Sequence, residues 1–385
     1  MILHRVLLLL QILPGLLIVS AYNTKLPCHF PAIFNFGDSN SDTGGLSATG
    51  LVDPVRLPNG ETFFKAPSGR YADGRLLIDF IAEKLGLPYV EAYLDALGGN
   101  FSHGANFATT LSPILEQNST LPLGFYSPFS LAVQLHQYLQ LKIRSQLIYQ
   151  QGGIKKCMMP RPEYFTEALY TIDIGQNDLT AILFTSSPNT SPENYLQVAL
   201  QRFATVIKEI YRAGGRYFLI HNTGPLGCLA YVLVRPPVGP EQTDETGCRI
   251  FYNALAKKFN AMLNETITKL REDLPAAALT LVDVYSAKYH LITHASKYGF
   301  EHPLEVCCGN GDNKYNYNAT ARCGQTKTVD GVDILLAKSC KDPQKSINWD
   351  GPHYTEAANK WVFDRISKGQ FSDPPHPLVH ACHQS

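Results

Sequence analysis

Three residues of this 385-residue chain have the types that nucleophilic catalysis requires: Ser39, Asp350 and His353. A serine hydroxyl becomes a good nucleophile when a neighbouring base takes its proton and a third group holds that base in the right tautomer. Asp350 and His353 are three residues apart in one turn, so the carboxylate can reach the imidazole nitrogen remote from the serine. Alone, the serine and the aspartate could cap a turn or a helix, and the histidine could be a surface residue. Together they supply the group types of a serine nucleophile, its base and an orienting acid, and the capping and surface roles stay open beside this catalytic interpretation.

Acyl transfer also needs hydrogen-bond donors aimed at the oxyanion that develops on the carbonyl oxygen. Asn177 lies in the turn Gly-Gln-Asn-Asp at 175–178, after an apolar run, where its side-chain amide can supply such a donor. Its alternative role is that of a turn former. The Gly-x-Ser-x-Gly elbow of the α/β-hydrolases is absent, since Ser39 lies in Gly-Asp-Ser-Asn-Ser at 37–41. A serine hydrolase with this sequence must use another scaffold.

An alternation of strands and helices must position these residues. Short apolar runs typical of buried strands occur at 31–36, 103–108, 169–174, 217–221 and 279–284. Amphipathic stretches of helical period lie at 75–85, 128–147, 192–213, 251–270 and 355–366. This alternation predicts a parallel sheet with helices on both faces and a ligand crevice beyond the carboxyl ends of the strands. A Gly- and Cys-rich stretch at 299–340 is predicted to be an irregular surface excursion held by disulfides.

The first 21 residues are predicted to be a signal peptide, and residues 22–385 a single domain. A basic start precedes a mostly apolar run that ends in small residues. A retained membrane anchor is the alternative, but it needs about 20 uninterrupted apolar residues, and Pro14-Gly15 breaks this run. Because no later stretch approaches membrane-spanning length, we expect no integral membrane segment in the mature protein.

Asparagine sequons and cysteines agree with export. Five Asn-x-Ser/Thr triplets predict N-linked glycans at Asn100, Asn118, Asn189, Asn264 and Asn318. An oxidising compartment should pair most of the nine cysteines, and the odd number leaves at least one unpaired. The alternative is a zinc site, but adjacent cysteines do not form the spaced chelating pair that tetrahedral zinc favours. Its candidate ligands are Cys307, Cys308, Cys323 and Cys340.

The composition argues against several other functions. The 33 Lys and Arg residues balance 33 Asp and Glu residues, so no basic field exists for nucleic acid. No Gly-rich phosphate cradle or pair of metal carboxylates occurs, which disfavours phosphate chemistry. His290 and His294 could share a helix face as zinc ligands, but no glutamate stands beside the first histidine to act as a base. We therefore expect no cofactor and no metal.

Further motifs accompany the segments around Ser39, Asn177 and His353. They read SGRYADGR at 68–75, HGANFA at 103–108, NTGPLGC at 222–228 and CCG at 307–309. In order and spacing, these motifs resemble the GDSL esterase/lipase family of the SGNH hydrolase superfamily. They are similar to its secreted plant branch, close to the early-nodulin and fucosidase-like esterases. The similarity extends over nearly the whole mature chain.

This resemblance implies a fold and a role for each site residue. The fold would be α/β, a three-layer α/β/α sandwich of flavodoxin-like type with about five parallel strands. Ser39 would be the nucleophile and a backbone oxyanion donor, Asn177 a side-chain donor, His353 the general base and Asp350 the group that orients it. Where the family usually has Asn-Phe-Ala-x-x-Gly, Leu111 replaces the glycine whose N–H completes the oxyanion hole. Leucine has that N–H, but it lacks glycine's freedom to adopt positive φ.

We therefore predict a secreted, glycosylated serine esterase that hydrolyses acyl or acetyl esters, in the apoplast or cell wall with the vacuole as an alternative. Its substrate would be a small-molecule or cell-wall ester, whose acyl and alcohol parts stay open. One alternative is an acyltransferase that passes the acyl group to an alcohol, since the plant family contains both activities. The other is a weakly catalytic binding or defence glycoprotein, which Leu111 supports and the intact site residues oppose.

Overall fold

A six-stranded sheet forms the centre of the molecule in the computed structural model, which describes residues 26–97, 99–116, 127–184, 191–235 and 242–384. The signal peptide expected at 1–21 and the sequons at Asn118 and Asn189 lie outside these ranges. No helix in the described ranges has the length and apolar composition that crossing a membrane requires.

The strands of the central sheet are mainly parallel. In chain order, the strands of the described residues are β1 Ile33–Gly37, β2 Gly104–Asn106, β3 Leu169–Asp173, β4 Tyr217–His221, β5 Ala278–Val282, β6 His302–Val306, β7 Thr326–Val329, β8 Val332–Leu335, β9 Ser346–Asn348 and β10 Ser372–Asp373. The central sheet has the order β10-β5-β4-β3-β1-β2, with β1 to β5 parallel and the two-residue β10 antiparallel at one edge. Every residue of β1, β3 and β5 is buried, as strands require when both faces of a sheet are covered.

Two rows of helices provide that cover. The helices are α1 Gly45–Ala48, α2 Leu77–Lys84, α3 Leu131–Gln151, α4 Tyr164–Glu167, α5 Gln176–Phe184, α6 Pro192–Arg212, α7 Ala230–Leu233, α8 Ile250–Asp273, α9 Val284–Thr293 and α10 Glu356–Ile366. In one row α6 packs against α3 and α8, and in the other α10 packs against α2 and α9. The predicted α/β sandwich with five parallel strands is confirmed, with β10 as an addition.

Local sequence explains where these elements form. The helix α6 begins at Pro192, a residue whose missing N–H costs nothing in a first turn, and the hydroxyl of Ser191 accepts the N–H of Asn194 at 3.2 Å. On β1 and β3, the rings of Phe34 and Tyr170 pack 5.4 Å apart and contact Tyr138 of α3. The two tyrosine hydroxyls bond each other at 2.8 Å, so the polar ends of these buried rings are satisfied.

The strand order creates a crevice between β1 and β3. From β1 the chain first adds β2 on one side of it and then β3 on the other side, so the direction in which strands are added reverses between β1 and β3. In sheets of this kind, ligands bind beyond the carboxyl ends of the two strands where that reversal occurs. Gly37 ends β1 there, and a Cβ at this residue would lie 2.3 Å from the carbonyl oxygen of Asp173. The buried amide of Gln134 accepts the N–H of Gly37 at 2.9 Å and donates to its carbonyl at 2.8 Å. The strand therefore ends in a fixed geometry.

Four disulfides join eight of the nine cysteines: Cys28–Cys382, Cys228–Cys248, Cys307–Cys340 and Cys308–Cys323. Cys157 is the free cysteine and is exposed. The prediction that most cysteines pair and one is left over is confirmed. The four cysteines considered as zinc ligands form two of these disulfides.

The stretch at 299–340 is more regular than the sequence analysis predicted. Here β6 pairs with β9, and β7 and β8 form an antiparallel hairpin. The prediction of irregular structure was wrong, because β8 is exposed throughout and a search for buried apolar runs could not detect it. The predicted anchoring by disulfides is confirmed by Cys307–Cys340 and Cys308–Cys323. The overlooked signal is Asp330-Gly331 between the strands, whose φ values of 51° and 79° suit a two-residue hairpin turn.

Candidate active site

The five predicted site residues lie on one cleft of about 620 Å³ at the carboxyl edge of the sheet. They are Ser39, Leu111, Asn177, Asp350 and His353. A larger open groove of about 940 Å³ lies along α8 and α9 and contains none of them. Residues that are up to 314 positions apart in the sequence thus meet where β1 and β3 end, because the fold returns the C-terminal segment to the sheet.

Asp350 and His353 form a direct pair. Nδ1 of His353 lies 2.8 and 2.7 Å from the two carboxylate oxygens of Asp350, and the His353 backbone N–H donates to the same carboxylate at 3.1 Å. With Nδ1 held by the carboxylate, Nε2 is the ring nitrogen left for a serine hydroxyl. Gly351 lies between the pair at φ 118°, and a Cβ there would be 2.4 Å from the ring of Tyr317. The plainer interpretation of Asp350 as a helix cap is wrong, since Thr355 caps α10.

Ser39 lies two residues after β1 in a tight turn. The backbone N–H and side-chain amide of Asn40 both donate to the Asp38 carboxylate, at 3.0 and 2.9 Å, and the N–H of Ser41 donates to the Asp38 carbonyl. Within the described part of the chain, the Ser39 hydroxyl makes no hydrogen bond. The interpretation of Ser39 as a capping serine is therefore wrong for its side chain.

Asn177 projects from the first turn of α5 into the cleft. Its Nδ2 donates to the carbonyl of Ser112 at 3.1 Å, which fixes the plane of the amide. An amide nitrogen carries two hydrogens, so a second donor remains for a ligand in the cleft. The residue is 7% exposed, so its amide dipole lies where little water screens it.

Leu111 adopts the left-handed backbone conformation, with φ 69°. That conformation costs a leucine about 1–2 kcal/mol, so neighbouring contacts must hold it. On one side, Asp42 accepts the N–H and the hydroxyl of Thr110 at 2.7 and 2.8 Å. On the other, Asp178 accepts the N–H groups of Ile114 at 2.8 Å and Leu115 at 3.3 Å. The loop thus keeps the geometry that glycine would adopt freely.

Both aspartates are fully buried, and sequence analysis gave neither of them a role. Burial raises the pKa of Asp178 to about 6 and also raises that of Asp42, although the donated hydrogen bonds oppose the rise in both. Their partners are 68 and 64 residues away in the chain. The sequence signal that could have found them is their position, since Asp42 lies in the segment around Ser39 and Asp178 directly follows Asn177.

Comparison with known proteins shows the family of this chain. A family model described as GDSL-like Lipase/Acylhydrolase matches residues 33–366. The chain belongs to this family. It is 52% identical over 357 residues to GDSL esterase/lipase ACHE of Zea mays, covering 92% of this chain and 90% of that protein. It is 53% identical over 343 residues to Alpha-L-fucosidase 3 of Arabidopsis thaliana (89% and 91% covered) and 45% identical over 357 residues to GDSL esterase/lipase ENOD8 of Medicago truncatula (93% and 91% covered).

The resemblance drawn from the sequence motifs is therefore confirmed, including its nodulin and fucosidase-named plant branch. The protein is a carboxylic ester hydrolase of the GDSL esterase/lipase family.

Four buried ionisable groups of this esterase lie behind the turn that contains Ser39: Asp38, Asp173, His221 and Lys288. Burial, with the neighbouring Asp173 carboxylate, raises the pKa of Asp38 to about 7. Burial also disfavours ionised Asp173, but the His221 ring, 3.3 Å from its Oδ2, and Lys288 outweigh that effect and hold its pKa below the usual range. Burial lowers the pKa of Lys288, against the attraction of both carboxylates. Sequence analysis did not predict this cluster of mixed charge. Asp38, Asp173 and His221 lie at or next to the carboxyl ends of β1, β3 and β4, beside the site residues.

The two histidines considered as zinc ligands lie apart from the cleft. The rings of His290 and His294 stack 4.3 Å apart on the surface, and Nε2 of His290 bonds the hydroxyl of Tyr298. Of the sequons in the described residues, Asn100 and Asn264 are exposed, whereas Asn318 is half-buried and lines the cleft.

The substitution Leu111→Gly is expected to change kcat by less than about tenfold, because the clamped loop already has the conformation that glycine prefers. Its effect on the free energy of unfolding should stay within about 1 kcal/mol, because two contributions oppose each other. Relief of backbone strain stabilises the folded state, whereas loss of the side-chain contacts and the greater entropy of the unfolded chain destabilise it. Steady-state kinetics and urea unfolding measure both quantities. Leu111→Ala is the control, because it removes most of the side chain and keeps the strain. A hundredfold gain in kcat for the glycine variant would contradict the prediction and favour the weakly catalytic alternative.

Proposed function

We propose that this esterase is a secreted glycoprotein that hydrolyses carboxylic esters through an acyl-enzyme on Ser39. The observation that carries the proposal is the Asp350–His353 pair, which shares one cleft with Ser39 and leaves Nε2 of the histidine for the serine. The Asn177 amide in the same cleft supplies a donor for the oxyanion.

The proposed reaction has two symmetrical halves. The Ser39 oxygen attacks the ester carbonyl while Nε2 of His353 takes the serine proton, and Asp350 stabilises the imidazolium that forms. The oxyanion accepts hydrogen bonds from the N–H groups of Ser39 and Leu111 and from the Asn177 amide. The carbonyl re-forms as the bond to the alcohol breaks, and His353 returns the proton to the leaving alcohol. Water then attacks the acyl-serine in the same way, which releases the acid and restores the free serine.

Several features support export. Four disulfides fit an oxidising compartment. The apolar leader at 1–21 and the five sequons have the patterns of a cleaved signal peptide and of glycan acceptors. We therefore propose that residues 22–385 form the mature chain, a single domain, in the apoplast or cell wall.

The test combines covalent labelling with product analysis. A fluorophosphonate should label the purified protein once, and peptide mapping should locate the label on Ser39. Acetyl, feruloyl and long-chain esters are then supplied with and without an acceptor alcohol, and products are identified by mass spectrometry. Free acid should be the main product. A main product esterified to the acceptor would favour the acyltransferase, and labelling at another residue would overturn the mechanism.

A further inference from the structure

One glycan acceptor lies in the wall of the cleft that holds the site residues. Asn318, Ala319 and Thr320, which form one sequon, all line that cleft. Of the other two sequons in the described residues, Asn264 lines the separate groove along α8 and Asn100 lines neither cavity. The position of Asn318 is therefore unlike that of the other two.

The local geometry leaves the attachment atom of Asn318 available. Its Oδ1 accepts the N–H of Thr320 at 2.9 Å and the Thr320 hydroxyl at 2.8 Å. Its Nδ2, the atom that would carry a glycan, makes no hydrogen bond within the described ranges, and the side chain is half-buried rather than enclosed. A sugar on Nδ2 would disrupt no contact among these residues.

The wall that carries Asn318 is tied to the acid–base pair. The ring of the preceding residue, Tyr317, packs against Gly351, which lies between Asp350 and His353. The disulfide Cys308–Cys323 encloses the segment and limits its movement. Because His353 protonates the leaving alcohol in the proposed reaction, the alcohol part of an ester must lie on this side of the cleft.

We propose that an N-linked glycan on Asn318 extends this wall and restricts the size of the alcohol part of the ester. The proposal rests on the proposed function, since it requires an exported, glycosylated esterase. An N-glycan is bulky and strongly hydrated, so a large alcohol such as an acylated oligosaccharide would compete with it for space at the cleft. A small alcohol would reach Ser39 past it.

The test removes this glycan without changing Asn318. Thr320→Ala destroys the sequon, Thr320→Ser preserves it, and Asn264→Gln removes a glycan from the other groove. Each protein is expressed in a secreting plant host, and glycan occupancy is read from intact and peptide masses. The substrates are an acetyl ester of a small alcohol and an acetylated oligosaccharide.

We expect Thr320→Ala to raise kcat/KM for the oligosaccharide ester by roughly threefold or more relative to the small ester, as removal of a steric conflict should. Thr320→Ser and Asn264→Gln should leave that ratio unchanged. Trimming the wild-type glycans with an endoglycosidase should reproduce the Thr320→Ala result, which separates the glycan from the lost hydroxyl.

Two results would overturn the inference while leaving the esterase intact. One is an unoccupied Asn318 in an active protein, and the other is an occupied Asn318 whose loss leaves the ratio of the two kcat/KM values unchanged. Failure to hydrolyse either ester would instead overturn the proposed function, and this inference with it.

Discussion

Ser39→Ala is expected to lower kcat for ester hydrolysis by about 10⁴–10⁶-fold, because the proposed acyl-enzyme forms on the Ser39 hydroxyl and the residual rate would come from the oxyanion donors and substrate binding alone. KM should change little, since the hydroxyl makes no hydrogen bond within the described residues and its loss leaves the turn intact. Single-turnover kinetics with an acetyl ester would measure the loss, and circular dichroism would show that the variant is folded.

The matched control is Ser41→Ala, two residues along the chain. The Ser41 hydroxyl accepts the Asn35 amide at 3.0 Å and does not line the cleft. This variant should lose about 1 kcal/mol of stability and keep kcat within about tenfold of the wild type. If Ser39→Ala retained a normal turnover rate, or if the two variants lost activity equally, Ser39 would not be the nucleophile.

Asp350→Asn should lower kcat by about 10²–10⁴-fold. The two carboxylate oxygens of Asp350 both lie within 2.8 Å of Nδ1 of His353, so in the proposed reaction their charge stabilises the imidazolium that forms when the serine proton moves. A neutral amide removes that charge, and its NH₂ group can donate to Nδ1, which favours the tautomer that cannot accept the serine proton. The kinetic loss should appear in kcat rather than KM.

The control for this variant is Asp342→Asn. Asp342 is exposed and accepts the N–H of Gln344 at 3.2 Å at the start of a short helical turn outside the cleft. It should retain full activity. Thermal unfolding of both variants separates loss of chemistry from loss of fold. Asp350→Asn with wild-type activity would exclude this carboxylate from the proton transfer.

The sequence predicted the parts of the fold that depend on local hydrophobic pattern. The run at 217–221 coincides with β4, and the strand-end rule located Ser39 and Asn177 at the crevice. The short helices α5 and α9 were not predicted, and neither was the two-residue β10. Such elements are defined by their packing against distant parts of the chain, which a local pattern does not contain.

The support of the site was harder to predict for the same reason. Asp42 and Asp178 hold the loop around Leu111 through backbone groups more than 60 residues away. Gln134 fixes Gly37 across 97 residues. A sequence motif identifies such residues without saying what they touch. The left-handed conformation of Leu111, raised as a difficulty from sequence alone, becomes understandable only with these partners in place.

The disulfide Cys28–Cys382 joins residues 354 positions apart and makes nearly the whole described chain a covalently closed ring. A protease that cuts this ring once, for instance at the exposed hairpin of β7 and β8, cannot release a fragment. Ser39 near one end and His353 near the other would stay in one molecule. Such a nicked enzyme would migrate as one band in a non-reducing gel and separate into two pieces only after reduction, so a single cleavage need not end its activity.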